Sequence, residues 1–70
     1  MPKVGAVYRH YKGNIYKVLH LARHSETHEE VVVYQSVTDP EKIWVRPLGM
    51  FMEEVEWEGK TVLRFALISE

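Results

Sequence analysis

The sequence predicts a mostly β domain: a small curled antiparallel sheet or SH3-like barrel of five to six strands with one short helical turn. Three observations carry that reading. Two hairpin signatures bracket the chain, a valine-rich run lies between them, and short turns join the pieces within about 65 residues, which suits a curled sheet better than a flat open one. At 70 residues the chain falls at the low end of a single domain, so residues 1–70 are read as one unit.

The first hairpin comes from Ala6 to Tyr11, rich in β-branched and aromatic residues, followed by Lys12-Gly13-Asn14 and then by Ile15 to Ala22. A three-residue loop there would set Arg9 against Lys17, so the residues leave its register open. Glu30 to Val37 carries four valines and a tyrosine and reads as a central strand buried on both faces. Thr38-Asp39-Pro40-Glu41-Lys42 is a turn by composition, and Ile43 to Arg46 a short strand stopped by Pro47. In Pro47-Leu48-Gly49-Met50-Phe51, proline at a first helical position and two large apolar residues three apart suggest one helical turn plugging the core.

The second hairpin runs from Val55 to Trp57, through Glu58-Gly59-Lys60, to a strand over Thr61 to Ile68. A three-residue loop would set Trp57 opposite Thr61, Val55 opposite Leu63 and Glu54 opposite Arg64, matching apolar to apolar and acid to base. A two-residue loop would set Glu54 against Leu63, so the first register is expected. The expected core is Val18, Val31, Val33, Val45, Phe51, Val55, Leu63 and Phe65.

Composition narrows the function classes. The absence of cysteine excludes disulfides and thiolate metal sites and fits a reducing cytoplasm. Nine basic and ten acidic side chains give a net charge of −1, which lacks the basic footprint of general nucleic-acid binding. The longest apolar run, Val31 to Tyr34, is far too short to span a bilayer, and the start of the chain lacks the apolar core of a signal peptide. A cytoplasmic protein without membrane partners is expected. Because small barrels can bind single strands by stacking on aromatics beside basic groups, a nucleic-acid accessory protein stands as an alternative that the net charge disfavours. So small a chain buries only about 60% of the surface it exposes when unfolded, and without disulfides a homodimer is the expected staple.

His20, His24 and His28 recur every fourth residue, a metal-ligand spacing on a helix. The flanking residues favour strand and polar loop, so the spacing loses its geometric meaning, and neither metal nor cofactor is expected. His24, Ser25 and Glu26 resemble a nucleophile set, but neighbours in an extended chain point to opposite faces. Catalysis is therefore not expected, and a minimal hydrolase using His24 and Glu26 stands as an alternative only. The richer set is Tyr8, Arg9, His10, Tyr11 and Lys12, with Arg23, His24, Ser25, Glu26 and Thr27, and with Trp44 and Arg46 before Pro47. Arginine offers a planar fork to carboxylate or phosphate and aromatic rings offer stacking faces. Convergence of Arg9, Arg23 and Arg46 would make a pocket for a small anion or acidic peptide. The competing reading pairs these arginines with acids such as Glu26, Glu29 or Glu30.

These segments carry a resemblance. Tyr8-Arg9-His10-Tyr11-Lys12-Gly13, Ala22-Arg23-His24-Ser25-Glu26-Thr27 with Glu29 and Val32-Val33-Tyr34, and Trp44-Val45-Arg46-Pro47 with Met50-Phe51 and Glu53 are similar to the pattern of domain-of-unknown-function family 1653. The match spans roughly Gly5 to Val55, and the family consists of short bacterial proteins. It implies kinship without an activity, cofactor or substrate. His28 and Gly49 stand where the family pattern commonly has Leu and Glu, and His20 lies outside the motifs. Arg9, His10, Arg23, His24, Ser25, Glu26, Thr27, Arg46 and Pro47 fall on motif positions.

Overall fold

Seven strands and one helical turn follow one another along the chain, and the computed structural model describes all of residues 1–70. They are β1 (Val7–His10), β2 (Ile15–Arg23), β3 (Glu30–Ser36), β4 (Ile43–Pro47), α1 (Leu48–Phe51), β5 (Glu54–Trp57), β6 (Lys60–Leu63) and β7 (Phe65–Ser69). Five strands form one antiparallel sheet in the order β4-β3-β2-β1-β7, and β5 and β6 form a separate ribbon. The curled-sheet alternative is the one realised. β4 and β7 remain as unjoined edges, so no barrel closes, and there are more strands than the five to six expected. No helix is long and apolar enough to cross a membrane.

The extra strand arises at Arg64, where the single run expected over Thr61 to Ile68 breaks in two. The Arg64 N–H donates to the Glu53 carbonyl at 2.9 Å, while the Arg64 carbonyl accepts from the Tyr11 N–H at 3.0 Å. Its main chain thus hands over from one sheet to the other. Before it, β6 pairs with β5; after it, β7 pairs with β1.

In the β5–β6 ribbon the pairing is Glu54 with Leu63, Val55 with Val62, Glu56 with Thr61 and Trp57 with Lys60. This is the two-residue loop, not the three-residue one expected. Glu58 and Gly59 have φ of 50° and 77°, the left-handed pair of a type I′ turn, whose twist matches that of the flanking strands. Turn geometry outweighs the side-chain matching, and Glu54 makes no pair with Arg64. In the first hairpin Arg9 faces Ile15, sparing it the Lys17 repulsion, and Gly13 at φ 112° closes the turn.

The core sits on one face of the main sheet, under α1. Val18, Val32, Tyr34, Phe51 and Phe65 are its buried cluster, with Ala6 and Val31 also buried. Pro47 serves as N-cap rather than as the first helical residue, and the turn it starts delivers Phe51 onto the Phe65 ring. Three expected core residues lie outside it: Val45 is 63% exposed and Leu63 50%, and Val33 is half-buried on the other face. Val45 pairs with half-buried Val33 on the face away from α1, and Leu63 shares the ribbon face of Glu54. Val55 is only half-buried.

Candidate functional site

Side-chain alternation places the candidate residues on distinct surfaces. Tyr8 lies edge-on to Phe51, 5.2 Å between ring centroids, so it belongs to the core face, and its neighbour Arg9 points from the opposite face. Arg46 pairs with Val32, two residues from Tyr34, and donates its Nε–H to the Tyr34 hydroxyl at 3.1 Å, so it belongs to the core face too. Arg23 is at the far end of β2, opposite Glu30. The expected convergence of Arg9, Arg23 and Arg46 therefore does not occur: each lines a different cleft.

What does converge is His10, Trp44 and Arg46. They line one cleft of about 250 Å³ with Tyr16, Tyr34 and Phe65. Antiparallel pairing brings this about: β3 carries Tyr34 opposite Trp44, and β1 carries His10 opposite Phe65. Arg46 is held by its Nε bond to Tyr34 and by the Phe65 ring, whose centroid is 5.7 Å from the guanidinium carbon. Its Nη groups make no hydrogen bond or ion pair within the chain; the salt bridges are Lys3–Glu70, Lys42–Asp39 and Arg64–Glu53. The pairing of Arg9, Arg23 or Arg46 with acids is thus not what the fold uses.

His10 forms the wall. Its Nδ1 accepts the Lys12 N–H at 3.2 Å, which leaves Nε2 to carry the proton of the neutral ring. Burial lowers its pKa, and the positive charges of Arg46, Arg64 and Lys12 lower it further. Of these, Arg64 is ion-paired with Glu53, so Arg46 is the one cation that lines the cleft with His10, and no acidic residue lines it. On its other side His10 shares a larger cleft with Arg9, Tyr11, Lys12 and Trp57. Tyr8 lines an apolar cleft instead, and burial, then the Glu70 charge, raises its pKa.

The Arg23 to Glu29 segment orders itself. The His24 Nδ1 accepts from the Glu26 and Thr27 N–H groups at 3.1 and 3.3 Å, Thr27 Oγ1 accepts from the Glu29 N–H, and Arg23 donates to the His28 carbonyl. No hydrogen bond joins the Glu26 carboxylate to the His24 ring. This is a self-capped loop, exposed throughout, and none of its residues lines the Arg46 cleft. No group of three His, Asp or Glu side chains is placed to hold a metal ion.

Sequence reasoning missed Tyr16, Tyr34 and Phe65 as cleft residues. Their alternation was visible, but which strand each faces depends on registers the sequence leaves open.

A comparison with curated proteins finds no match. Among solved structures, the fold is similar to a crystal structure of a DUF1653 protein from Bordetella bronchiseptica, at 39% identity and a TM-score of 0.83, over 93% of this chain and 86% of that one. The model of the family described as protein of unknown function (DUF1653) matches residues 6–67. With nearly the whole chain inside that match, and a relative of the same architecture, the protein belongs to the DUF1653 family.

Proposed function

We propose that the protein is a non-enzymatic, cytoplasmic binding module that takes a small carboxylate- or phosphate-bearing ligand, or an acidic peptide end, in the Arg46 cleft. One observation carries this reading: a guanidinium fixed through Nε and an aromatic ring keeps both Nη groups free toward a cleft walled by His10 and Trp44. Such a fork matches two oxygens of a carboxylate or phosphate, and Trp44, 48% exposed, offers a stacking face beside it. Pre-ordering the arginine removes part of the entropy cost of binding. Small ligands suit the volume.

Isothermal titration with inorganic phosphate, succinate, indole-3-acetate and a short acidic peptide tests it. A saturable signal that Arg46→Lys weakens, because lysine loses the bidentate fork, supports the proposal. If none of the four binds below millimolar concentration, the anion reading is wrong. A single-stranded oligonucleotide run at low and high salt distinguishes phosphate-tracking, which would give a steep salt slope.

A further inference from the structure

We infer that β7 is a self-association edge, and that two copies of the chain join through it about a twofold axis at Leu67 to make one continuous ten-stranded sheet. This inference rests on the sheet edges and not on the Arg46 cleft.

Both edges of the main sheet, β4 and β7, present unpaired main-chain groups, but they are unequally protected. Natural edges are blunted by proline, charge or cover. β4 ends in Pro47, which has no N–H, and carries Arg46. β7, Phe65-Ala66-Leu67-Ile68-Ser69, has no charge and no proline, and Leu67 and Ile68 are 50% and 52% exposed.

The occupant follows from symmetry. In an antiparallel pair, residues directly opposite share a face, so a strand meeting its own copy must pivot on a residue. Only a pivot at Leu67 pairs all five residues of β7. It sets Phe65 opposite Ser69, Ala66 opposite Ile68 and Leu67 opposite itself, matching large to small away from the axis. Beyond the strand ends it sets no like charges against each other: Arg64 of each copy falls opposite Glu70 of the other, each already paired within its own chain with Glu53 and Lys3. A β4 pair about Val45 would oppose Ile43 to Pro47 and lose a donor.

A five-residue ladder alone is small against the roughly 800 Å² per partner of a specific interface. Leu67, however, also lines an apolar cleft of about 200 Å³ with Tyr8, Phe51, Met52, Leu63 and Phe65. Because Leu67 faces the core side, opposite Tyr8, the second copy's Leu67 would arrive on that same side, at the mouth of the cleft. Met52 and Leu63, each 50% exposed, extend the apolar surface there.

Sedimentation of the full chain should give twice the 8.3 kDa chain mass at micromolar concentration. Ile68→Lys, which sets a lysine on the shared edge, should weaken association at least tenfold, while Val45→Lys on the other edge should leave it unchanged. Amide exchange on the unaltered chain covers the case in which the variant fails to fold: outward N–H groups of β7 should be protected and those of β4 should not. A monomer up to 100-fold higher concentration, association lost with Val45→Lys but kept with Ile68→Lys, or unprotected β7 amides would each overturn the inference.

Discussion

Phe51 and Phe65 stack face to face, ring centroids 4.1 Å apart and planes 6° from parallel. One ring comes from α1 and the other from β7, and both are almost fully buried. Tyr8, Tyr16 and Tyr34 meet this pair edge-on, the arrangement ring quadrupoles favour. The stack ties the single helical turn to the strand that closes one side of the sheet. Phe51→Ala or Phe65→Ala should cost about 3 to 5 kcal/mol, which for so small a domain unfolds most of the population. Urea denaturation followed by tryptophan fluorescence checks it; an unchanged midpoint for either variant would mean the stack is not the centre of the core.

Val45 and Leu63 provide the contrast. Both were expected inside from their branched, apolar character, yet each is at least half exposed. Val45→Ala should shift stability by no more than about 0.5 kcal/mol, the range of ordinary surface changes. Leu63→Ala, which trims one wall of the cleft shared with Tyr8, Phe51 and Leu67, should shift it by about 1 kcal/mol. A cost above 2 kcal/mol in the same urea experiment would show that one of them is covered.

The difference between these pairs shows where sequence reading stops. Strand positions were legible because valine and aromatic runs are broken by Gly13, Pro40 and Gly59, and the core aromatics Phe51 and Phe65 because large apolar residues beside turns have few other places to go. Which face of each strand is covered was not legible. Val33 and Val45 alternate as regularly as Val32 and Tyr34, and only the landing of α1 on one side separates them. The same limit governs the site: His10, Trp44 and Arg46 were visible as chemistry, but Arg9 looked equivalent to Arg46 until pairing put them on opposite faces.

The β5–β6 turn gives a backbone prediction. Glu58 holds φ of 50°, where a side chain on an L-residue costs roughly 1 kcal/mol or more relative to glycine. Glu58→Gly or Glu58→Asn, the residues a type I′ turn prefers, should raise the melting temperature by a few degrees. Gly59→Val, forcing a branched residue to φ 77°, should lower it. Calorimetry on the three variants settles the order, and a stabilising Gly59→Val would contradict the turn assignment.

His10 predicts a pH dependence. Its pKa lies below the ordinary 6.5 because burial and the charges of Arg46, Arg64 and Lys12 disfavour the imidazolium. Between that lowered value and 6.5, the unfolded chain holds a proton that the folded one does not, so stability rises with pH through this window and is fully present above 6.5. His10→Gln should flatten this part of the profile. A profile identical in parent and variant from pH 5 to 7.5 would show that His10 is not shielded.

The arginines give the sharpest functional test, because the fold separates residues that the sequence groups together. A ligand that binds only the folded state, at a hundredfold excess over its Kd, stabilises by about 2.7 kcal/mol. At about 4 to 8 °C per kcal/mol for a domain of this size, the melting temperature should rise by roughly 10 to 20 °C. Arg46 is bound to the chain only through Nε and the Phe65 ring, so Arg46→Ala should abolish the shift at modest cost to the unliganded protein. Arg9, on the opposite face, and Arg23, donating to the His28 carbonyl and lining another cleft, should be replaceable by alanine with the shift intact. If Arg9→Ala or Arg23→Ala removes the shift while Arg46→Ala keeps it, the ligand sits in another cleft, and the fork on Arg46 serves only to hold Tyr34.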